Sequence, residues 1–198
     1  MNLSQPQRVG IFVALAMIMA GTRINHFGAL PDASWAIFFV AGFYLRGSLR
    51  WVFPALMTLA VFVDYLVISG QGLNFWSHYC VSPGYWFLIA AYGAMSLGGM
   101  LLRAQHKELG LRSLGLLVAS FVIAECVCFV VSNGSFYWLS SSVASTSMSG
   151  WMQNMADWYL PYLRTSGLYV GVATVLHLIG TRSLHALDNQ TQSSIQRG

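Results

Sequence analysis

One cysteine stands in the most polar connection of the chain, the stretch NFWSHYCVSPGYW at residues 74–86. Cys80 follows His78 by two residues, and aromatic side chains frame the pair: Trp76, Tyr79 and Tyr85. An exposed thiol near a potential positive charge ionises readily, and the thiolate is the form that binds soft metals or attacks electrophiles. The aromatic frame suits a large, flat ligand. The alternative is that Cys80 only packs as a small hydrophobic residue, which is the usual fate of a free cysteine.

Two carboxyl groups stand inside apolar runs, where an ionisable side chain is costly and therefore a functional candidate. They are Asp64 and Glu125, and Arg164 at the start of the last apolar run is an available counter-ion. One interpretation is a structural ion pair that ties helices together. The other is that these residues belong to the floor of a pocket that also holds Cys80.

The composition indicates that these groups belong to a membrane protein. Of the 198 residues, 56% are hydrophobic and 8% are charged, whereas about a quarter of the residues of a soluble domain are charged. Several apolar runs approach the roughly 20 residues that span a hydrocarbon layer of about 30 Å. The net charge of +4 does not indicate nucleic acid, because the basic residues form no patch. We expect an all-α integral membrane protein with a single transmembrane domain, residues 1–198.

Six transmembrane helices are predicted from the apolar runs. Their approximate bounds are 9–22, 33–45, 51–69, 85–102, 114–132 and 162–180. A polar cytoplasmic tail is predicted over residues 183–198. In the long connection 133–159, the serine-rich stretch 140–150 is predicted to be a flexible flap, because it is too polar for a helix core.

The distribution of Lys and Arg predicts the orientation, because cytoplasmic connections hold the excess. With the N-terminus inside, eight of the ten Lys and Arg residues lie on the inner side, and Arg23 and Arg164 lie on the outer side. Both termini are then cytoplasmic, and Cys80 faces outward. Trp and Tyr are concentrated in the outer connections, whereas an interfacial belt would enrich both sides. This asymmetry favours an outward-facing pocket.

The other cysteines and histidines form no recognisable metal or catalytic motif. Cys126 and Cys128 are two apart on a predicted helix and are expected to pack. His26 and His177 fall on opposite sides of the predicted membrane, so they cannot share a metal ion. The sequence contains no phosphate-binding loop, serine-hydrolase elbow, zinc-protease motif or dinucleotide fingerprint. We therefore expect that the chain hydrolyses no nucleotide itself.

The first predicted helix carries small residues at a spacing of four, in the stretch AMIMA from Ala16 to Ala20. Gly10 and Ala14 have the same spacing. Such faces let two membrane helices approach closely. The stripe serves either packing within this chain or docking of a second protein.

Together these features resemble the substrate-binding S-component of energy-coupling-factor (ECF) transporters. The cysteine in HYCVSPGYW and the segment RINHFGALPDASWAIFFVAGFYLR resemble, more narrowly, the solitary vitamin B12 transporters of the BtuM type. The resemblance covers most of residues 8–182. It implies an S-component-like bundle of six transmembrane helices.

The resemblance further implies that cobalamin is the substrate and that the sulfur of Cys80 is an axial ligand of its cobalt. Removal of cyanide from cyanocobalamin is linked to this family. The remaining expected contacts to the cobalamin are residues of the outer connections: His26, Asn74, Trp76, His78, Tyr79 and Tyr85. Ala16 and Ala20 would face a transmembrane coupling subunit that two separate ATPases drive.

Two other functions remain open from the sequence. One is a non-catalytic S-component for another vitamin, in which Cys80 only packs. The other is a membrane thiol oxidoreductase that uses Cys80 with a quinone. The oxidoreductase needs a resolving cysteine on the same side, and Cys126 and Cys128 fall within a predicted span.

Overall fold

The computed structural model describes residues 3–24, 31–105 and 110–195, with side chains as far as residue 183. Across these ranges the chain is helical and contains no β-strand. Its α-helices are α1 (Gln5–Ile24), α2 (Ser34–Tyr44), α3 (Leu49–Gly70), α4 (Leu88–Gln105), α5 (Leu111–Leu139) and α6 (Met148–Ile195). The predicted all-α class and the order of the helices are confirmed.

Five of these helices are long and apolar enough to cross a membrane, and α2 is the exception. The 11 residues of α2 extend about 16 Å, roughly half of a hydrocarbon core of about 30 Å. By length and composition, five helices of the described chain are therefore candidate membrane spans, where the sequence predicted six.

The short helix α2 is the buried centre of the bundle. Eight of its 11 residues are buried, and it packs against α1, α3, α4, α5 and α6. Aromatic contacts on different sides of α2 join it to its neighbours: Phe38 stacks on Tyr92 of α4 at 4.5 Å, and Phe39 meets Phe121 of α5 edge-on at 5.6 Å. A helix that is apolar all round is a buried helix, and α2 fits this description.

The closest helix contact is between α2 and α4, where glycines bring the two backbones together. A Cβ atom on Gly42 would collide with the backbone carbonyl of Ser96, and one on Gly99 would collide with the carbonyl of Phe39. Small residues permit such an approach in membrane helices. Any side chain at either glycine must therefore push α2 and α4 apart.

The outer faces of the long helices expose large apolar side chains, as a lipid-facing surface requires. Leu97 and Leu101 of α4, Ile123 of α5, and Leu168 and Leu176 of α6 are each more than half exposed. Scattered apolar residues are normal on any protein, but soluble proteins rarely expose contiguous apolar faces of this extent. The exposed faces support the membrane-spanning character of the chain.

The fifth and sixth helices differ most from the predicted bounds. Helix α5 continues to Leu139 and α6 begins at Met148, so the connection is Ser140–Ser147 and the long outer loop predicted over 133–159 is wrong. Within the stretch predicted to be a flap, the hydroxyl of Tyr137 donates to the carbonyl of Ser147 at 3.1 Å and accepts from its N–H at 3.2 Å. Tertiary contacts thus extend helices through residues that are polar enough to indicate a loop.

Helix α6 has 48 residues and is about 72 Å long, more than twice the hydrocarbon thickness. The predicted sixth span, 162–180, is its middle part. Its backbone continues as helix to Ile195, which covers most of the stretch predicted as a polar tail.

We predict that Gly99→Ala lowers the free energy of unfolding by about 1–3 kcal/mol, because overpacking has that typical cost. Gly93 on the same helix is the matched control, since nothing lies within 4 Å of a Cβ atom there. Gly93→Ala is expected to be neutral or to stabilise by up to about 1 kcal/mol through helix propensity. Equilibrium unfolding of the purified protein in detergent measures both variants. Equal stability of the two variants would contradict the close α2–α4 contact.

Candidate functional site

A cavity of about 330 Å³ lies at the end of the bundle that carries Cys80. We call it the Cys80 cleft. Five residues of the connection between α3 and α4 line it: Gln71, His78, Cys80, Gly84 and Tyr85. Asp32 lines it from just before α2, and the helices contribute the rest: Arg23, Trp35, Asp64, Val67, Ile68, Leu88, Tyr92, Ser132, Asn133, Phe136 and Tyr162. Nucleophilic, charged and aromatic groups from α1 to α6 therefore meet in one place.

The connection that carries Cys80 is built from three short 3-10 turns: Phe75–Ser77, Tyr79–Val81 and Pro83–Phe87. Polar side chains start the first two turns. The side-chain oxygen of Asn74 accepts from the N–H of Trp76 at 2.9 Å and of Ser77 at 3.3 Å, and Nδ1 of His78 accepts from the N–H of Cys80 at 3.3 Å. Asn74 and His78 therefore shape the backbone that presents the thiol.

The third turn is fixed against α5 by a glycine. A Cβ atom on Gly84 would approach the carbonyl oxygen of Ser135 to 2.7 Å. The hydroxyl of Ser135 donates to the carbonyl of Gly84 at 3.2 Å. The Cys80 connection is thus held between α3 and the outer part of α5.

At the wall of the cleft, the guanidinium group of Arg23 bonds residues near the ends of three other helices. Its Nε and Nη2 donate to the two carboxylate oxygens of Asp64 at 2.6 and 2.7 Å. Its Nη1 donates to Asp32 and Ser34 at 3.0 Å each and to the Tyr92 hydroxyl at 3.1 Å. Arg23 is on α1, Asp64 on α3 and Tyr92 on α4, while Ser34 begins α2. A forked, two-bond pairing is the strongest form of an arginine–carboxylate contact.

This arrangement corrects the predicted counter-ion. Asp64 is paired with Arg23, and Arg164 is exposed and pairs with neither predicted carboxylate among the described residues. Glu125 is buried on α5 and does not line the cleft. The two membrane carboxylates therefore belong to different environments.

Tyr85 connects the Cys80 connection to the Arg23 network. Its hydroxyl donates to Asp64 Oδ2 at 2.6 Å. Asp64 thus accepts from Arg23 of α1 and from the turn Pro83–Phe87 with the same carboxylate. A change in the position of Asp64 must reach the segment that carries the thiol.

The thiol of Cys80 is half-buried and is protonated more readily than an exposed thiol. Burial raises its pKa, and the negative charge of Asp64 acts in the same direction, while a hydrogen bond with Tyr79 partly offsets both. The prediction that this thiol ionises readily is contradicted by its raised pKa, and the ring nitrogen of His78 accepts from the backbone N–H of Cys80. The proton of the thiol must leave before the sulfur can bind a metal.

The structure separates the predicted site residues into three groups. Those that line the cleft are Cys80, His78, Tyr85 and Asp64. Those in the same connection that do not line it are Asn74, Trp76 and Tyr79; Trp76 is 73% exposed. His26 lies outside the described residues.

Several residues of the cleft were missed from the sequence, and Asn133 is the most informative of them. Its side-chain oxygen is buried and has no hydrogen-bond partner among the described residues. Trp35 and Tyr162 form the aromatic side of the cleft and stack at 4.8 Å with an interplanar angle of 24°. Asn133 seemed to belong to a loop, and only its position on α5 turns it into the cleft; no local signal distinguishes it.

Ala16 and Ala20 of α1 are partly buried, and Ala16 packs against the core of the bundle. Packing within the chain therefore accounts for at least part of the predicted stripe. Gly10 and Ala14 are exposed on the same helix.

No set of three or more His, Cys, Asp or Glu side chains in the described ranges is arranged to hold a metal ion. At the other end of the bundle a second cavity of about 330 Å³ has a mainly apolar lining. There His177 Nδ1 lies 2.7 Å from the Tyr44 hydroxyl. The Cys80 cleft is therefore the site with reactive groups.

Comparison with known proteins finds no matching family model and no matching curated sequence.

We predict that iodoacetamide alkylates Cys80 slowly at neutral pH and faster as the pH rises, because only the thiolate reacts and burial raises the pKa. Tyr79→Phe removes the hydrogen bond that lowers this pKa, so its alkylation at a given pH should be slower still. Trp76→Phe is the matched control in the same connection, and Cys80→Ala gives the background from Cys126 and Cys128. A rate independent of pH across neutrality would contradict the prediction.

We predict that Asp64→Asn destabilises the protein by about 1–3 kcal/mol, because the buried Arg23 loses its forked carboxylate partner and keeps Asp32 as its remaining acid. Asp157→Asn is the control, since Asp157 is exposed on α6 and should change stability by less than about 0.5 kcal/mol. Unfolding titrations in detergent give both values. A loss for Asp64→Asn as small as for the control would show that Arg23 does not depend on this carboxylate.

Proposed function

We propose that this chain is a vitamin B12 uptake protein that binds cobalamin in the Cys80 cleft, with the sulfur of Cys80 as an axial ligand of cobalt. Cobalamin is the transported substrate in this proposal. The observation that carries it is a single cysteine sulfur on a cleft with aromatic and polar walls.

A single cysteine sulfur favours a metal that is already bound by other ligands when it enters the cleft. Thiolate is a soft ligand, yet the described residues offer no companion set of metal ligands near it. A free metal ion bound through one protein ligand would be held weakly. A corrin ring supplies four nitrogen ligands itself and leaves an axial position for Cys80.

The walls of the cleft suit a large amide-bearing ring. Trp35, Tyr162 and Phe136 present aromatic surface, on which a flat macrocycle can pack. The unpartnered oxygen of Asn133 is an acceptor for a peripheral amide N–H group, since a buried acceptor is costly to leave unsatisfied. His78 and Tyr79 hold the backbone and the thiol of Cys80 and would orient its sulfur.

The size of the cleft limits how cobalamin can bind. A volume of about 330 Å³ is at the lower end for small-molecule sites, and a corrinoid with all its side chains is larger. The ring must therefore cover the mouth of the cleft with one face towards Cys80, or the connection 71–87 must move outward. The short 3-10 turns of that connection are the element we expect to move.

Binding of cyanocobalamin breaks the S–H bond of Cys80 and the bond from cobalt to the benzimidazole base, forms an S–Co bond, and releases one proton to solvent. The thiolate then donates electron density to cobalt and weakens the bond to the ligand on the opposite face. If an external electron donor, such as a low-molecular-weight thiol, reduces the cobalt, the cyanide of cyanocobalamin leaves as cyanide ion. Decyanation is thus a consequence of the proposed ligation, supplied with electrons from outside the chain.

The proposal includes a bacterial inner-membrane location with six transmembrane helices, both termini in the cytoplasm, and entry of substrate from the outer side. The support is the excess of Lys and Arg in the connections predicted to be cytoplasmic, together with five long apolar helices. In this arrangement α2 is the sixth helix, enclosed by the others. A transmembrane coupling subunit with two ATPases would dock along α1 beside Ala16 and Ala20, where Gly10 and Ala14 are exposed.

A second candidate function is an S-component for a smaller vitamin, and the volume of the cleft favours it. In that case Cys80 packs and ligates nothing. The oxidoreductase alternative has less support, because Cys128 is fully buried on α5 and the sulfur of Cys126 lies 2.9 Å from the Tyr159 hydroxyl. All three cysteines are free.

We predict that purified protein incubated with cyanocobalamin acquires the visible spectrum of thiolate-bound cobalt and that Cys80→Ala loses this spectrum completely. Affinity should fall by tenfold or more, which corresponds to about 1.4 kcal/mol or more. Cys126→Ala is the matched control, since Cys126 is on α5 away from the cleft, and should keep the spectrum.

Calorimetry with cobalamin, riboflavin, biotin and thiamine completes the experiment. Tight binding of a smaller vitamin without any cobalamin affinity would establish the second candidate. An unchanged cobalamin spectrum in Cys80→Ala would remove the cysteine from the site.

A further inference from the structure

The carboxyl group of Glu125 stands at the middle of the longest fully described helix. Glu125 is the fifteenth of the 29 residues of α5, so about 21 Å of helix extends on each side of it. Ser132, which lines the Cys80 cleft, is seven residues further along, or about 10 Å. Glu125 is therefore deep within the hydrocarbon region and below the cleft.

The side chain is completely enclosed by protein. Its exposed fraction is 0%. Neither carboxyl oxygen has a hydrogen bond of acceptable geometry among the described residues. An aromatic layer separates it from the cleft: Phe129, one turn further along α5, contacts Trp35 at 6.3 Å and Tyr162 at 5.7 Å. Water from the cleft is thus kept away from the carboxyl group.

The groups around Glu125 offer no positive charge within the described part of the chain. Ser166 and Tyr159 face it from α6, and Cys128 is its neighbour on α5. Helix α2 carries no charged residue, and the charged residue of α4, Arg103, lies in its last turn. The described ion pairs are both formed by Arg23 with other acids.

An ionised carboxylate in such surroundings would cost several kcal/mol or more without a partner, and groups in this position take up a proton instead. A metal cation is a poor alternative. Hard cations need about six oxygen ligands, whereas the described residues place no group of three or more His, Cys, Asp or Glu side chains around this carboxyl group.

We propose that Glu125 is an intramembrane proton-binding site, which holds a proton at neutral pH and by doing so keeps α6 packed on α5. Ser166 and Val170 are the buried side chains in the described part of α6. The rest of the contact of α6 with the core comes from partly buried side chains, and Ser166 is the buried residue that faces Glu125. Loss of the proton would put a bare charge into this contact and loosen it. The inference does not depend on the identity of the substrate in the cleft.

The test is infrared difference spectroscopy of the full chain in lipid bilayers. Wild-type protein at neutral pH should show the C=O stretching band of a protonated carboxylic acid, separate from the bands of ionised carboxylates. Glu125→Gln should lack this band, Glu125→Asp should shift it, and Asp157→Asn should leave it unchanged. The wild-type band should convert into a carboxylate band as the pH is raised.

Thermal unfolding against pH provides the second measurement. At alkaline pH the melting temperature of the wild type should fall further than that of Glu125→Gln, because the glutamine side chain has no acidic proton to release. Absence of the acid band in wild type at neutral pH would overturn the proton site, and this outcome requires no variant to fold. An acid band that persists in Glu125→Gln would do the same, and parallel pH profiles of the two proteins would overturn the role in holding α6.

Discussion

The Arg23 guanidinium group is the interaction on which the rest of the candidate site depends. A buried arginine must be paired, because an uncompensated charge in a low-dielectric interior is expensive. Arg23 satisfies this requirement with Asp64, Asp32, Ser34 and Tyr92, which belong to different helices or precede them. One cation thereby fixes how α1, α2, α3 and α4 meet. The carboxylate of Asp64 also accepts from Tyr85, so the same charge positions the connection that presents Cys80.

The part of this structure that could be predicted from the sequence follows from the physics of the bilayer. Apolar runs of sufficient length must be helices, because no other open structure satisfies its backbone in hydrocarbon; this is why α1, α3 and α4 lie where they were predicted. The ends of α5 and α6 follow a different rule. Residues 133–139 resemble a loop in composition, yet Ser135 and Gly84 pair across two elements and keep the segment helical. Such a contact between distant residues leaves no periodic signal.

The ion pair illustrates the same limit within the site. Arg23 and Asp64 are 41 residues apart, and nothing in their spacing selects Arg23 over Arg164, the counter-ion predicted from the sequence. The deciding factor is α2. This short helix is buried on all sides, and the glycine contact between Gly42 and Ser96 holds it against α4. The beginning of α2 therefore lies inside the bundle, where Ser34 and the preceding Asp32 meet Arg23. Arg164 remains on the exposed face of α6.

The chain holds its two membrane carboxyl groups by opposite means, and the difference defines what each can do. Asp64 has a forked arginine partner, and its negative charge lies on the wall of the Cys80 cleft. That charge helps to keep the Cys80 thiol protonated, which protects a free sulfur from oxidation and alkylation until a stronger Lewis acid displaces the proton. In the proposed function, the cobalt of a corrin ring is such an acid. Glu125 has no cationic partner among the described residues, and as the proposed proton site it is neutral only while it holds a proton. The two acids stand on different helices and thereby divide the proposed roles: Asp64 acts at the cleft, and Glu125 acts at the contact between α5 and α6.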